Sequence, residues 1–194
     1  MEDKAPLGRK FYARDTAQVA QDLLGKVVVR RTPSGTLRGR IVETEAYYGD
    51  GDPASRAFRG RKNYNAVMFD EPGRLFIYMV HSWWMLNIVA HVAGEVGAVL
   101  IRAIEPIDGI DRMFVNRGVS ELRRLANGPG KLTRALDVGK ELHGLDVAEA
   151  GSELTVVGGR EEAFEIGSSH RIGVTRDLPR ELRFFIEGSA FTSR

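Results

Sequence analysis

The chain of 194 residues contains no cysteine. That single absence excludes disulfides, thiolate metal sites and a cysteine nucleophile. It fits a reducing compartment, and a cytoplasmic location is the expectation that goes with it. Long apolar runs are missing too. The most apolar region, 75–104, is broken by His81, His91, Glu95, Arg102 and several glycines, so no membrane span or membrane partner is predicted. The opening MEDKAPLGRKFYARD lacks the apolar core of a signal peptide, and residues 1–10 are expected to be loosely ordered. A strong charge bias is also lacking: Lys and Arg outnumber Asp and Glu only 28 to 26. The four histidines are scattered, with no H-E-x-x-H, so neither a metal nor a cofactor is expected. No G-x-S-x-G surrounds Ser168 and Ser169, which leaves an elbow-type serine hydrolase unsupported.

What the chain does have is a run of strand-like segments joined by tight turns. Asp15 with Gln18 three residues later resembles a capping box, opening a helix that runs to Leu24 and stops at Gly25. KVVVRR reads as a strand, TPSGT as a turn and LRGRIVETEAYY as its long hairpin partner. A polar loop follows over 49–66. RLFIYMVHSWWMLNIVAHV reads as two strands turning near His81 and Ser82, and GAVLIRAIEP as a further strand. Helical patterns are predicted over 108–117 and 120–127 and from Lys131, then late strands in SELTVV and LRFFIEG. Hairpin connections imply an α+β fold: one domain over 1–194, with a curved, mostly antiparallel sheet, flanking helices and a protruding β-hairpin.

Within the long strand, 40-RIVETEAYYGDGDPASRAFRGR-61, alternation puts Ile41, Glu43, Glu45 and Tyr47 on one face if no bulge intervenes. Same-face neighbours lie about 6.7 Å apart along a strand. Two carboxylates so placed can share acid and base work on a glycosidic bond. Alternatively one is catalytic and the other holds structure. An aromatic ring two residues from a carboxylate can stack a flat ring over a general base. Arg56, Arg59, Arg61 and Lys62 crowd the next loop, and Arg123, Arg124, Lys131 and Arg134 a later one; two such clusters in glycine-rich loops lean towards phosphate contact. NGPGKLTRAL is superficially like a P-loop but has Leu132 where Ser or Thr should follow the lysine. It reads better as a glycine-rich entry to a helix, where Lys131 can meet a phosphate. In 75–87, Phe76, Tyr78 and Val80 share one face, Leu75, Ile77 and Met79 the other, and the tip carries His81, Trp83 and Trp84. Large residues at a hairpin tip can wedge between base pairs.

VETEAY, DPASRAFRGR, NAVMFDEPGRLFIY, VLIRAIEP, GPGKL, RIGV and LRFFIEGSAF occur in that order, from about Phe11 to the end. The ordered set resembles the alkyladenine (3-methyladenine) DNA glycosylase family in a bacterial form. The resemblance implies a metal-free, monofunctional enzyme of base-excision repair. Such an enzyme flips an alkylated purine, or hypoxanthine or ethenoadenine, out of damaged double-stranded DNA and hydrolyses its N-glycosidic bond. Carried onto this sequence, Glu45 matches the general base, and Arg102 the arginine that helps hold the attacking water. A backbone carbonyl of RIGV is expected to complete the water site. Tyr47 and Tyr78 match the rings that sandwich the base, Asn87 the asparagine that screens against guanine, and Glu43 structural support. Arg59 and Lys131 fall to DNA contact. A monomer is expected.

Two departures stand out. Arg56 occupies a position where the family has histidine, which predicts poorer handling of neutral lesions than of cationic 3-methyladenine. The hairpin is one residue short between Tyr78 and Asn87: aligned from Tyr78 the intercalating place falls on His81, aligned from Asn87 on Val80, and His81 is favoured, with Trp83 as a substitute wedge. Two alternatives remain open: an O-glycoside hydrolase using Glu43 and Glu45 as a pair, and a nucleic-acid-binding module without catalysis.

Overall fold

The structure, a computed structural model, describes residues 4–160 and 162–193. Eight antiparallel strands form one curled sheet: β1 (Val27–Thr32), β2 (Gly35–Tyr48), β3 (Leu75–Val80), β4 (Trp83–Val89), β5 (Gly97–Asp108), β6 (Leu154–Val157), β7 (Ile166–Ser169) and β8 (Arg183–Ile186). The spatial order is β3-β4-β5-β2-β1-β6, with β8 also on β2 and β7 on β8. β2 is the hub, because it outlasts its hairpin partner. Residues 35–40 pair with β1, and 43–45 take β8 on the edge that β1 has left. Among the described residues four α-helices, α1 (Arg9–Tyr12), α2 (Thr16–Asp22), α3 (Ile110–Arg117) and α4 (Pro129–Ala135), complete the α+β domain. No helix among the described residues is long and apolar enough to cross a membrane.

Period-two alternation sorts the side chains. Leu75, Ile77, Leu86, Ile88 and Val99 join Val19, Leu23, Met113 and Leu132 of the helices in the main core. Phe76, Val89 and Ala98 point the other way, into a second cluster with Ala57 and Met68 of the 49–74 connection. Directly paired residues share a face, so the register draws one row across four strands: Phe76, Asn87, Leu100 and Glu45. That row faces away from the helices. At Glu43 the pairing slips on both sides, and Arg102 is passed over between Ala103 and Ile101. Such bulges re-aim side chains next to active sites.

Asp15 caps α2 by accepting from the amides of Ala17 and Gln18 at 3.0 and 3.1 Å. Losing such a cap costs about 1 kcal/mol. Asp15→Ala is therefore expected to lower the thermal midpoint by about 2–4 °C, readable by circular dichroism.

Several expectations need correction. The segment 120–127 forms only a 3-10 turn, Leu122–Arg124, because Leu125 and Ala126 are drawn into the core and Ala126 O accepts the Ile104 N–H. Asp108 ends β5, and the helix starts at Ile110. Strand β7 has no sequence signal, since IGSS lacks apolar alternation. Of residues 1–10, expected to be loose, 1–3 lie outside the described residues. From Lys4 on the segment is tied down: Lys4 Nζ bonds Gly159 O, Leu7 N–H bonds Val156 O, and Arg9 starts α1.

Candidate active site

On the face opposite the helices lies a cleft of about 700 Å³. Its walls come from β2 (Tyr47), the 53–59 loop, the β3–β4 hairpin (Tyr78, Val80, Met85), Arg102 and the 172–176 loop. A small recess lined by Tyr47, Arg56, Phe76, Tyr78 and Asn87 continues it inward. Tyr47, Arg56, Tyr78, Asn87 and Arg102, named from the sequence, therefore come together. So does Arg59, at the cleft mouth.

Glu43 and Glu45 are both fully buried, and both reach Arg102. Arg102 Nε donates to Glu43 Oε1 at 2.8 Å, while Nη1 lies 3.1 Å from Glu45 Oε1. Their remaining partners separate them. Glu43 also accepts from Arg183 Nε at 2.7 Å, from the Ser193 hydroxyl at 2.6 Å and from the Ser193 amide. Three of these four donors crowd Oε1 and only the Ser193 amide reaches Oε2, so Glu43 is held by two guanidiniums and by both donors of Ser193, with about one acceptor site left on Oε2. Glu45 has three: Tyr47 OH on Oε2 at 2.7 Å, and the Ile172 amide at 2.7 Å with Arg102 on Oε1. About one acceptor site is left, on Oε2 beside Tyr47.

Protonation behaviour splits in the same way. Burial would raise Glu43, but the Ser193 hydroxyl, Arg102 and Arg183 outweigh it and hold it below the usual carboxylate value. At Glu45 burial wins against Arg102, Tyr47 and Ile172, and the carboxyl is raised. The two carboxylates are thus pushed apart, Glu43 towards a persistent anion and Glu45 towards readier protonation. The Tyr47 and Tyr78 phenols stay protonated, raised chiefly by burial.

Each aromatic wall carries a cation. Arg56 lies over Tyr78, 4.7 Å from the ring centroid, and Arg171 over Tyr47 at 4.6 Å. Phe76 backs Tyr78 with centroids 5.0 Å apart. Asn87 Nδ2 donates to the carbonyls of Phe76 and Met85 at 3.0 and 3.2 Å, which fixes the amide at the inner end of the recess. At the hairpin tip, His81 (φ 45°) and Ser82 (φ 68°) both adopt left-handed backbone, the turn geometry usually given to Asn-Gly. His81 is exposed at the apex. Trp83 is placed differently. It packs onto Gly130, where a Cβ would stand 2.7 Å from its own, and Arg117 and Arg134 flank its ring at 5.9 Å. Lys131 lies in this second basic group and bonds Asn127 Oδ1 at 2.9 Å; burial, Arg117 and Arg124 hold its ammonium below the ordinary lysine value.

The chain matches the family model for methylpurine-DNA glycosylase over residues 10–190. It belongs to that family. A relative from Mesorhizobium japonicum is 46% identical over 193 residues, covering 99% of this chain and 92% of the relative. One from Chlorobaculum parvum is 44% identical over 194 residues (96% and 90%), and one from the archaeon Aeropyrum pernix 40% over 190 (97% and 93%). All three carry the name "Putative 3-methyladenine DNA glycosylase". The protein is thus a DNA glycosylase of base-excision repair, a hydrolase whose substrate is damaged DNA.

For a methylpurine-DNA glycosylase, the residues sequence reasoning missed are Arg171, Asp52, Asp177 and Ser193. The RIGV segment, expected to supply a carbonyl to a water site, also gives Glu45 the Ile172 amide. Arg171 within the same motif was the available signal: an arginine beside short apolar residues, with Asp177 six positions on.

Proposed function

We propose that the protein flips an alkylated purine of the 3-methyladenine type out of duplex DNA into the cleft and hydrolyses its N-glycosidic bond with water activated by Glu45. The base stacks between Tyr47 and Tyr78, with Asn87 at the inner end of the recess. His81 wedges into the gap left in the duplex, Trp83 supports the hairpin, and Arg59 and Lys131 meet phosphates. One observation carries this reading. Glu45 is buried, raised above its ordinary value, and hydrogen-bonded through Oε2 to Tyr47, a wall of the aromatic cleft, with Arg102 as its guanidinium partner.

Its charge would also stabilise an oxocarbenium-like transition state at C1′. A cationic alkylated purine leaves without much acid catalysis, so a second catalytic carboxylate is not required. Glu43, held by two guanidiniums and Ser193 and kept below its ordinary value, is poorly equipped to be one, which weighs against a paired O-glycoside hydrolase. The test is alkali-induced scission of a duplex carrying a single 3-methyladenine-type lesion, with wild type beside Glu45→Gln. Cleavage by wild type alone supports the proposal, and equal cleavage by both overturns it.

The position of Arg56 turns round the expectation based on its chemistry alone. Its guanidinium sits over the Tyr78 face, so its charge bears directly on a cationic guest. At about 5 Å and an effective dielectric constant near 20, the repulsion is about 3 kcal/mol. Water at this exposed side chain brings it towards about 1 kcal/mol, roughly fivefold in a rate or binding ratio. Arg56→Gln is expected to raise excision of 3-methyladenine relative to neutral hypoxanthine by about that factor. An unchanged ratio in parallel single-turnover assays would contradict it.

A further inference from the structure

Behind the cleft sits a buried cluster that the hydrolysis itself does not use. The Arg171 side chain is wholly buried, with Asp52 equally so. Nη1 donates to Ala46 O at 2.9 Å and to Asp52 Oδ2 at 2.7 Å, Nη2 to Asp52 Oδ1 at 2.7 Å and to Asp177 Oδ1 at 2.6 Å, and Nε to Asp177 Oδ1 at 2.9 Å. Every guanidinium nitrogen is thus engaged, in a planar fork that no other side chain reproduces.

The partners belong to three different walls of the cleft. Ala46 is the β2 residue before Tyr47. Asp52 also accepts the amides of Tyr48 and Ala54, at 2.9 and 3.1 Å, and so shapes the loop that carries Arg56. Asp177 closes the 171–177 loop on itself by accepting the Arg171 amide at 3.1 Å. The flat face of the same guanidinium lies over Tyr47, and the next residue in the chain, Ile172, donates its amide to Glu45.

We infer that Arg171, clasped between Asp52 and Asp177, is a positioning residue that fixes the Tyr47 stacking wall and the Glu45 carboxylate relative to each other. It touches neither base nor sugar. The inference rests on the reading of Glu45 as the base. A plain structural role would need burial and good hydrogen bonds. It would not need one side chain to join the three elements that hold the base wall, the entrance loop and the amide on the carboxylate. A carboxylate or ring misplaced by about 1 Å can cost on the order of 10²-fold in rate.

Arg171→Lys keeps the charge and loses the fork. Asp177→Asn loosens one side while Asp52 keeps its bidentate grip. Single-turnover excision would be measured from acid to neutral pH on a single-lesion duplex, with thermal midpoints and lesion-duplex affinity alongside Glu45→Gln. Glu45 is faced by Arg102, Tyr47 and the Ile172 amide, with Tyr78 and, across Arg102, Glu43 nearby. Slackening the Ile172 bond removes a contact that favours the charged form. The acid limb of the rate should therefore move to higher pH, together with a rate loss on the order of 10²-fold for Arg171→Lys and a smaller one for Asp177→Asn. A wild-type rate and limb in both variants would overturn the inference, as would a rate loss that follows the thermal midpoint with the limb unmoved. Should Arg171→Lys fail to fold, Asp177→Asn decides alone. An inactive Glu45→Gln beside normal clasp variants would leave the base assignment standing and sink only the positioning role. A fully active Glu45→Gln would sink both.

Discussion

Glu45→Gln is expected to lower single-turnover excision by roughly 10²–10⁴-fold, the range spanned by general base catalysis, while lesion-containing duplex is still bound. The amide fills the same volume and keeps acceptor capacity for Ile172 and Arg102, and the Tyr47 hydroxyl can rotate to suit. What is lost is the ability to take a proton and the negative charge facing C1′. Because burial raises Glu45 above the ordinary carboxylate value, the wild-type rate should fall on acidification at a pH higher than an unperturbed glutamate would give. Glu45→Gln should lack that limb. Glu43→Gln makes the contrast. It neutralises a buried anion held by Arg102, Arg183 and Ser193, so its first effect should be on stability. An excision rate for Glu45→Gln within a few-fold of wild type would end the general-base assignment. Loss of lesion binding in step with rate would point to a positional role instead.

The strand-borne half of this candidate site was largely legible because its residues lie on one strand pair. Alternation put Glu43, Glu45 and Tyr47 on one face only without a bulge, and the pairing slips on both sides of Glu43, while Arg102, named from the resemblance, lies on the antiparallel partner. The hairpin likewise announced itself, with Phe76 and Tyr78 on the cleft face and Leu75 and Ile77 in the main core. Sequence could not show the slip in register at Glu43 and Arg102, because a bulge depends on what the whole sheet must close around. Nor could it show the loop-borne partners. Ser193 meets Glu43 across 150 positions, and Arg171 meets Asp52 across 119. Trp83 illustrates a subtler limit. Its place at a hairpin tip suggested a wedge; the hollow at Gly130 also packs it against α4, where it stays partly exposed, with His81 at the apex. Local pattern identifies which residues share a face, and long-range packing decides what those faces meet.

Arg102 links the chemistry to the fold, and Arg102→Ala should show how strongly. It pairs with two fully buried carboxylates, and among the described residues only Glu43 has a second guanidinium, that of Arg183. Removing one partner of a buried ionic group costs about 3–5 kcal/mol, since charge is left without compensation. At about 2–4 °C per kcal/mol for a chain of this size, the thermal midpoint should drop by roughly 6–20 °C near neutral pH. The pH dependence follows from the two carboxylates. Glu43, held below its ordinary value in the folded protein, contributes stability above the usual carboxylate range and loses it as pH falls through its folded value. Glu45, raised, has the opposite sign: its ionisation as pH rises costs the fold. Arg102 lowers both, so its removal moves both upward and makes neutral pH the worst condition for the variant. On acidification towards the carboxylate range the variant should regain stability relative to wild type as Glu45 takes up its proton. Thermal melts of both proteins at neutral and mildly acidic pH read this directly. A deficit of the same size at both pH values would mean that Arg102 supports the sheet through packing and hydrogen bonds, and that the charge of Glu45 is balanced elsewhere.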